Sequence, residues 1–335
     1  MNMANKKTDN TCSFKTSIGG QALIEGILMR GPARQSMVCR KPDGEFAVEV
    51  EELTHTKEKY PILGKPFIRG AFMLVSSMKN GMKAITWSAE FMPEEDQEAP
   101  GKFDLWLEKK LGKEKAEAAI MSIAVVLGIL LAVGLFFLLP AFLFELLPDS
   151  IGLIGRCILE GLIRIVIFVL YLWFATRMKE IKRLFAYHGA EHKSIFCYEK
   201  GLPLTVENVR KQSRFHPRCG TSFLVVVMII SIFVISFMTW VLSLFPAIDA
   251  LPGIVAALIR MVCKLILLPF IVGITYEINR WVGGHDGVIS SIIAWPGKMT
   301  QHITTSEPED DMIEVAIEAL KLVIPKEKGS DDWLG

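Results

Sequence analysis

Four long apolar runs constrain this chain more than any other sequence feature. Each is long enough for a helix that crosses a hydrocarbon layer of ~30 Å, which needs about 20 residues. Because 51% of the 335 residues are hydrophobic, two soluble domains of ordinary composition are not expected. The sequence predicts a mainly α-helical, polytopic membrane protein with spans at Ile120–Phe144, Cys157–Thr176, Ser222–Phe245 and Leu251–Tyr276.

Lys and Arg residues near the ends of these runs predict their orientation, because short cytoplasmic loops carry an excess of these residues. The segment 177–218 holds ten Lys and Arg residues against four Glu, and four Lys residues lie within 109–115. The connections at Asp149 and Asp249 are short and acidic. We therefore predict a multi-pass protein of the cytoplasmic (inner) membrane, with both termini and the loop 177–221 in the cytoplasm.

The polar segments outside the runs predict the rest of the organisation. Residues 1–17 are expected to be disordered and residues 18–118 to form a small cytoplasmic α+β region. In that region, Pro42 and Gly44 indicate the turn of a β-hairpin, and the apolar spacing of Phe67–Phe91 indicates a helix that lies on a surface or packs. The spans occupy 119–176 and 222–276, and the cytoplasmic tail 277–335 contains an amphipathic helix.

The strongest local pattern for chemistry is His188-Gly189-Ala190-Glu191-His192 in the central loop. Two His residues four positions apart lie on one face of a helix and can bind one metal ion. In this H-x-x-E-H pattern, Glu191 can act as the general base that activates a water molecule. The alternative is that both imidazoles lie at an interface and bond to neighbouring carbonyl groups.

Further candidate ligands follow along the chain. His216 and Cys219 precede the third run, and a thiolate combined with imidazoles suits Zn²⁺. Glu277, at the end of the fourth run, and His285, in a Gly-rich loop, can add ligands, while Asp286 can orient an imidazole. Simpler interpretations stay open: a small buried Cys, an ion pair between Glu277 and a nearby Arg, and a flexible turn with a helix cap.

Charged residues inside the second and fourth runs are costly in lipid unless they are paired or hydrated. They are expected to face the bundle interior, where they either pair with one another or bind an anion such as a lipid phosphate: Arg156, Glu160, Arg164, Arg260 and Lys264. Near the start of the chain, the Gly-rich segment Gly19–Pro32 contains Glu25 and Arg30. Its composition predicts that it fits closely against another surface.

Several of these motifs occur in one order along the chain. The Gly19–Pro32 segment comes first, then His188–His192 with His216-Pro217-Arg218-Cys219, and then Gly284-His285-Asp286. Together, from about Ile18 to Pro296, they resemble the YqhQ-like bacterial membrane proteins, a family of unknown function. The resemblance implies a multi-pass membrane protein of a family sometimes labelled as metal-dependent enzymes, with no reaction attached.

Two functions from different classes fit these features. The leading hypothesis is a Zn²⁺ site at the cytoplasmic face, which makes the protein a metal-dependent hydrolase if Glu191 acts as general base. The alternative is a non-enzymatic scaffold or regulator of the assembly or turnover of membrane proteins; a lipid or anion transporter is less expected, because no internal repeat is present. The 37 Lys and Arg residues nearly equal the 36 Asp and Glu residues in number, so no nucleic acid is expected as a partner. The expected partners are membrane lipids and membrane proteins.

Overall fold

The computed structural model describes residues 14–53, 60–92, 101–145, 151–327 and 329–333. Most of the segment expected to be disordered, 1–17, lies outside these ranges, as does the acidic connection at Asp149. The chain divides into two compact units. The first comprises residues 1–91, 175–224 and 273–335, and the second comprises residues 92–174 and 225–272.

Helices make up most of both units. They are, in chain order, α1 (Ile68–Ala89), α2 (Lys102–Leu111), α3 (Lys113–Val133), α4 (Leu139–Glu145), α5 (Leu153–Ala175), α6 (Lys179–Glu199), α7 (Val206–Arg210), α8 (Gly220–Ser243), α9 (Pro246–Asp249), α10 (Gly253–Gly284), α11 (Val288–Thr304) and α12 (Asp310–Val323), with a 3₁₀ turn at Pro61–Gly64 and a π-helical turn at Gly134–Leu138. In the described part of the chain, four helical stretches are long and apolar enough to cross a membrane: Ala119–Phe136, Gly155–Ala175, Gly220–Ser243 and Leu258–Gly284. The number and approximate positions of the predicted apolar spans are confirmed, although α10 continues eight residues past the expected end at Tyr276.

The first unit contains a four-stranded antiparallel sheet of strand order β1-β2-β3-β4. The strands are β1 (Gly19–Leu23), β2 (Gly26–Arg30), β3 (Arg34–Arg40) and β4 (Phe46–Glu52). The predicted hairpin is confirmed, since β3 pairs with β4 and Gly44 takes a φ of +87° in the turn, a conformation that favours glycine. The sequence does not predict β1 and β2, because glycines interrupt this segment and it shows no alternation of apolar and polar residues.

Helices α6 and α12 pack against this sheet and form the main core of the first unit. The amphipathic tail helix is confirmed, because its apolar stripe is buried: Met312, Ile313, Ala316, Ile317, Leu320 and Val323. Residues 14–17 also belong to this unit, as Thr16 N–H donates to Glu199 Oε1 (2.8 Å) and Trp333 N–H donates to the carbonyl of Lys15 (2.8 Å). Residues 14–17 therefore belong to the folded unit, contrary to the expectation for 1–17.

The second unit holds charged side chains in a mostly apolar helical bundle. Glu160 on α5 accepts hydrogen bonds from Arg164 (3.0 Å) and from Lys264 on α10 (2.7 Å). Arg164 Nε also donates to the carbonyl of Phe136 in the π-helical turn (2.9 Å). Pairing is therefore the observed outcome for these residues, and Arg156 and Arg260 have interaction partners as well.

Candidate metal centre

Helix α6 places His188, Glu191 and His192 on adjoining positions of one buried face. The helix contains Gly189, whose intrinsic cost is about 1 kcal/mol relative to Ala. A Cβ at Gly189 would lie 2.1 Å from the carbonyl oxygen of Ser306, and Ser306 N–H donates to the carbonyl of Phe185 (2.8 Å). The glycine is needed because the backbone that leads into α12 crosses the helix at this residue.

Backbone carbonyl groups fix the orientation of both imidazoles. His188 Nδ1 lies 2.8 Å from the carbonyl oxygen of Thr304, and His192 Nδ1 lies 2.5 Å from that of Arg214. Since a carbonyl oxygen only accepts hydrogen bonds, each Nδ1 carries the proton. Each Nε2 is then the metal-binding nitrogen in the neutral ring, the arrangement that outer hydrogen bonds impose on His ligands.

Cys219 brings a sulfur atom to these two nitrogens. Its Sγ lies 3.2 Å from His188 Nε2, and the ligand atoms of His188, His192 and Cys219 all lie within 4.8 Å of one another. A tetrahedral Zn²⁺ ion bound at ~2.0–2.3 Å would separate neighbouring ligand atoms by about 3.3–3.6 Å. The three side chains therefore need only small movements to bind one such ion.

Glu191 lies beside this cluster, and a backbone group of the sheet fixes its carboxylate. Gly20 N–H of β1 donates to Glu191 Oε1 (2.9 Å), while Oε2 lies 3.8 Å from His188 Nε2 and 3.7 Å from His192 Nε2. A Cβ at Gly20 would lie 2.6 Å from the carbonyl oxygen of Leu28 and 2.9 Å from Glu191 Cγ. Only glycine lets the strand backbone approach the carboxylate this closely.

The Gly-rich segment Gly19–Pro32 fits against α6 and α12, as its composition predicts. A Cβ at Gly31 would lie 2.6 Å from the carbonyl oxygen of Val323, at the end of α12. Glu25 lies in the β1–β2 turn with a φ of +50°, pairs with Arg183 and accepts from the Tyr187 hydroxyl (3.2 Å). Burial lowers the pKa of Arg30 in β2, and nothing in the structure assigns that residue a role in the cluster.

The pKa values of His188 and Cys219 shift in opposite directions. Burial alone would lower the pKa of His188, but the adjacent Cys219 raises that pKa to about 9. Burial alone would raise the pKa of Cys219, but His188 and His192 hold it well below its usual range. These opposite shifts favour a proton on His188 and a thiolate at Cys219. Burial raises the pKa of Glu191, although both imidazoles oppose this effect.

His216 is not one of the clustered ligands, contrary to the sequence prediction. Its ring centroid lies 5.5 Å from that of His192. However, its Nδ1 accepts from Arg218 N–H (3.3 Å), and its Nε2 lies 3.7 Å from Glu199 Oε2. The side chain of Gln301 bonds to both the N–H and the carbonyl of His216, which fixes it in this neighbouring network. Burial, followed by the charge of Arg218, lowers the pKa of His216 well below its usual range.

Glu277 and His285 also have partners other than the metal-ligand cluster. Glu277 accepts from Arg69 Nε (2.7 Å), a residue 208 positions away, rather than from a nearby Arg. His285 stacks on Trp281 with ring centroids 4.9 Å apart, and its Nδ1 lies 2.8 Å from the Trp281 carbonyl oxygen. The exposed carboxylate of Asp286 pairs with Lys15 (2.9 Å). The predicted ligand roles of Glu277 and His285 are therefore not supported.

Sequence analysis misses the groups that hold the cluster in place. They are the carbonyls of Thr304 and Arg214 and the N–H of Gly20. Because these are backbone groups, which nearly every residue type carries, the identity of the residue does not reveal them. The two adjacent glycines at the start of β1 are the one available indication. A glycine within a strand can mark a close approach of the backbone to another group.

Comparisons with known proteins identify the family of this chain. Residues 65–326 match the family described as protein of unknown function (DUF1385). The chain is also 32% identical over 320 residues to the uncharacterized protein YqhQ of Bacillus subtilis (strain 168), which covers 93% of this chain and 94% of that protein. No solved structure matches. The resemblance to the YqhQ-like proteins is thus confirmed, and the chain belongs to the DUF1385 family.

Proposed function

We propose that this protein is a membrane metalloprotein that binds a divalent ion, with Zn²⁺ as the expected one, through His188, His192 and Cys219. One observation carries the proposal: three metal-binding atoms lie within 4.8 Å of one another, and both imidazoles are held by backbone carbonyls at Nδ1. Two nitrogens and one sulfur suit a borderline ion such as Zn²⁺ better than Mg²⁺ or Ca²⁺. Three protein ligands leave a fourth position of the tetrahedron open.

Glu191 gives this site the composition of a hydrolase. Its Oε2 lies within 4 Å of both Nε2 atoms, so it adjoins the fourth position, where it can take a proton from a water molecule. The N–H of Gly20 holds the other carboxylate oxygen, which fixes the orientation of the proposed general base. Zn²⁺, when bound, supplies Lewis acidity and lowers the pKa of water. The proposed activity is metal-dependent hydrolysis.

The burial of these side chains favours a second candidate, a structural metal site in a non-enzymatic scaffold. The exposed fractions are 13% for His188, 6% for Glu191 and 2% for His192. In this candidate, Glu191 Oε2 is the fourth ligand and closes the coordination shell. The metal then stabilises the packing of α6 against the backbone before α8 and α12.

Cobalt substitution distinguishes the two roles of Glu191 without knowledge of the substrate. A tetrahedral Co²⁺ ion with a thiolate ligand has visible absorption that depends on its ligands. If Glu191 is the general base, Glu191→Gln should leave this spectrum and the Co²⁺ stoichiometry almost unchanged. The pH at which deprotonation of a metal-bound water alters the spectrum should shift. A loss of tetrahedral absorption in Glu191→Gln would contradict the hydrolase proposal and favour the structural site.

We propose that the metal site lies at the cytoplasmic face of the membrane. The first compact unit joins the N-terminal region, the segment 175–224 and the tail 273–335, which are separated by pairs of candidate spans. The segments of one folded unit that lie outside the candidate spans are expected on one side of a membrane, and the ten Lys and Arg residues of 177–218 favour the cytoplasm. Reporter fusions after Lys200 and after Ser306 should both report cytoplasm; an external position for either would contradict this orientation.

A further inference from the structure

The hydroxyl of Thr221 contacts the sulfur atom of the proposed metal centre. Thr221 Oγ1 lies 3.2 Å from Cys219 Sγ, and His188 Nε2 lies at the same distance from that sulfur. Backbone carbonyls bond to the Nδ1 atoms of His188 and His192, so each imidazole has one hydrogen bond from outside the cluster. Thr221 can supply the corresponding hydrogen bond to the third candidate ligand.

The start of α8 brings the two side chains together. Cys219 immediately precedes this helix, and its carbonyl accepts from Phe223 N–H (3.2 Å), which is the first hydrogen bond of the helix. Cys219 thus occupies the N-cap position, from which a side chain turns towards the second and third residues of the helix. Thr221 is the second residue of α8. The contact between Sγ and the hydroxyl therefore follows from the local backbone.

The direction of this hydrogen bond follows from the chemistry of a metal-binding Cys. Such a residue binds as a thiolate, which has no hydrogen to donate, so Thr221 must be the donor. The hydroxyl of Thr304 is a second possible acceptor, but its Oγ1 lies 3.4 Å from Thr221 Oγ1. That separation exceeds the usual O–H···O range of about 2.5–3.0 Å, whereas 3.2 Å is a close contact for the larger sulfur atom. The sulfur is therefore the better acceptor.

We propose that Thr221 is a positioning residue of the metal centre, whose hydroxyl donates a hydrogen bond to the Cys219 thiolate and thereby strengthens metal binding. This inference rests on the proposed metal site of His188, His192 and Cys219. The hydrogen bond orients the sulfur and offsets part of its negative charge. Groups that bond to metal ligands from outside the coordination shell typically change metal affinity by about 10–100-fold.

Zn²⁺ binding by variants of the full-length, detergent-purified protein tests this role. Thr221→Val keeps the branched shape and removes the hydroxyl, so its Zn²⁺ affinity, measured by competition with a chelator, should fall about tenfold. Thr221→Ser keeps a hydroxyl and should bind like the wild type. Thr239→Val is the matched control on the same helix, because the Thr239 hydroxyl donates to the carbonyl of Ile235 (2.8 Å) in the second unit. It should also bind like the wild type.

The absorption of the Co²⁺-loaded protein distinguishes a hydrogen bond to sulfur from a packing contact. The thiolate-to-cobalt charge-transfer band should move to longer wavelength in Thr221→Val, because a sulfur lone pair without the hydrogen bond lies higher in energy. Thr221→Ser should keep the wild-type band. Thr304→Val should keep it as well, since this variant removes the neighbouring hydroxyl and retains the backbone carbonyl that bonds to His188.

The failure of this inference differs from the failure of the metal site. If Thr221→Val does not fold, Thr221→Ala also lacks the hydroxyl and should show the same two changes. A folded variant without this hydroxyl that keeps the wild-type Zn²⁺ affinity and Co²⁺ band would overturn the role of Thr221 alone. Equal losses in Thr221→Val and Thr304→Val would also overturn that role. A wild-type protein that binds neither Zn²⁺ nor Co²⁺ would overturn the metal site and this inference together.

Discussion

Two buried polar clusters of this protein differ in how their charge is balanced. In the second unit, Glu160 accepts hydrogen bonds from Arg164 and Lys264, so side chains of opposite charge pair with one another. In the first unit, His188, His192 and Cys219 direct two nitrogens and a sulfur to one point. In the proposed metal site, these are the atoms that would bind a cation through lone pairs. The comparison teaches that nitrogen and sulfur atoms that converge favour a ligand site, whereas a carboxylate that pairs with neighbouring cations favours a structural role.

The largest effect is expected from removal of the balance in the second unit. Glu160→Gln leaves Arg164 and Lys264 without their carboxylate, and loss of one partner of a buried ion pair costs about 3–5 kcal/mol in the free energy of unfolding. Thermal unfolding in detergent measures this loss. The double variant Glu160→Gln with Lys264→Met should recover part of the stability, because it removes one of the unbalanced cations. A Glu160→Gln variant as stable as wild type would contradict structural pairing.

A smaller effect is expected at Gly20, where β1 supports Glu191 beside the cluster of His188, His192 and Cys219. Gly20→Ala places a Cβ against the carbonyl of Leu28 and against Glu191, and overpacking of this kind costs about 1–3 kcal/mol. Gly19→Ala is the matched control, since a Cβ there meets no atom within 4 Å, and its effect should stay within about 0.5 kcal/mol. Equal stability of the two variants would show that Glu191 is not held by β1.

The sequence predicts those features that depend on local pattern. The length of the apolar runs predicts the candidate spans, Pro42 and Gly44 predict the hairpin, and the spacing of His188 and His192 predicts two of the three clustered side chains. Each depends on neighbours within one turn or one span. Their physical causes are helix periodicity, turn geometry and the thickness of a hydrocarbon layer.

Other features depend on contacts between distant segments and were open in the sequence. His216 and Cys219 are three residues apart, yet only Cys219 joins the cluster, because Gln301 and the N–H of Arg218 bond to His216 elsewhere. Likewise, Glu277 pairs with Arg69 across 208 residues. Side-chain type alone made these residues equally plausible ligands. Tertiary packing decides among them.

The metal content of the purified protein tests the central claim most directly. Full-length protein, purified in detergent without chelator, should contain about one transition-metal ion per chain by elemental analysis, with Zn²⁺ expected. His192→Ala should lose this ion, because the remaining ligands cannot replace the missing bond, whereas His285→Ala should keep it. A metal-free wild-type protein that unfolds at the same temperature as His192→Ala, with or without added Zn²⁺, would contradict the account.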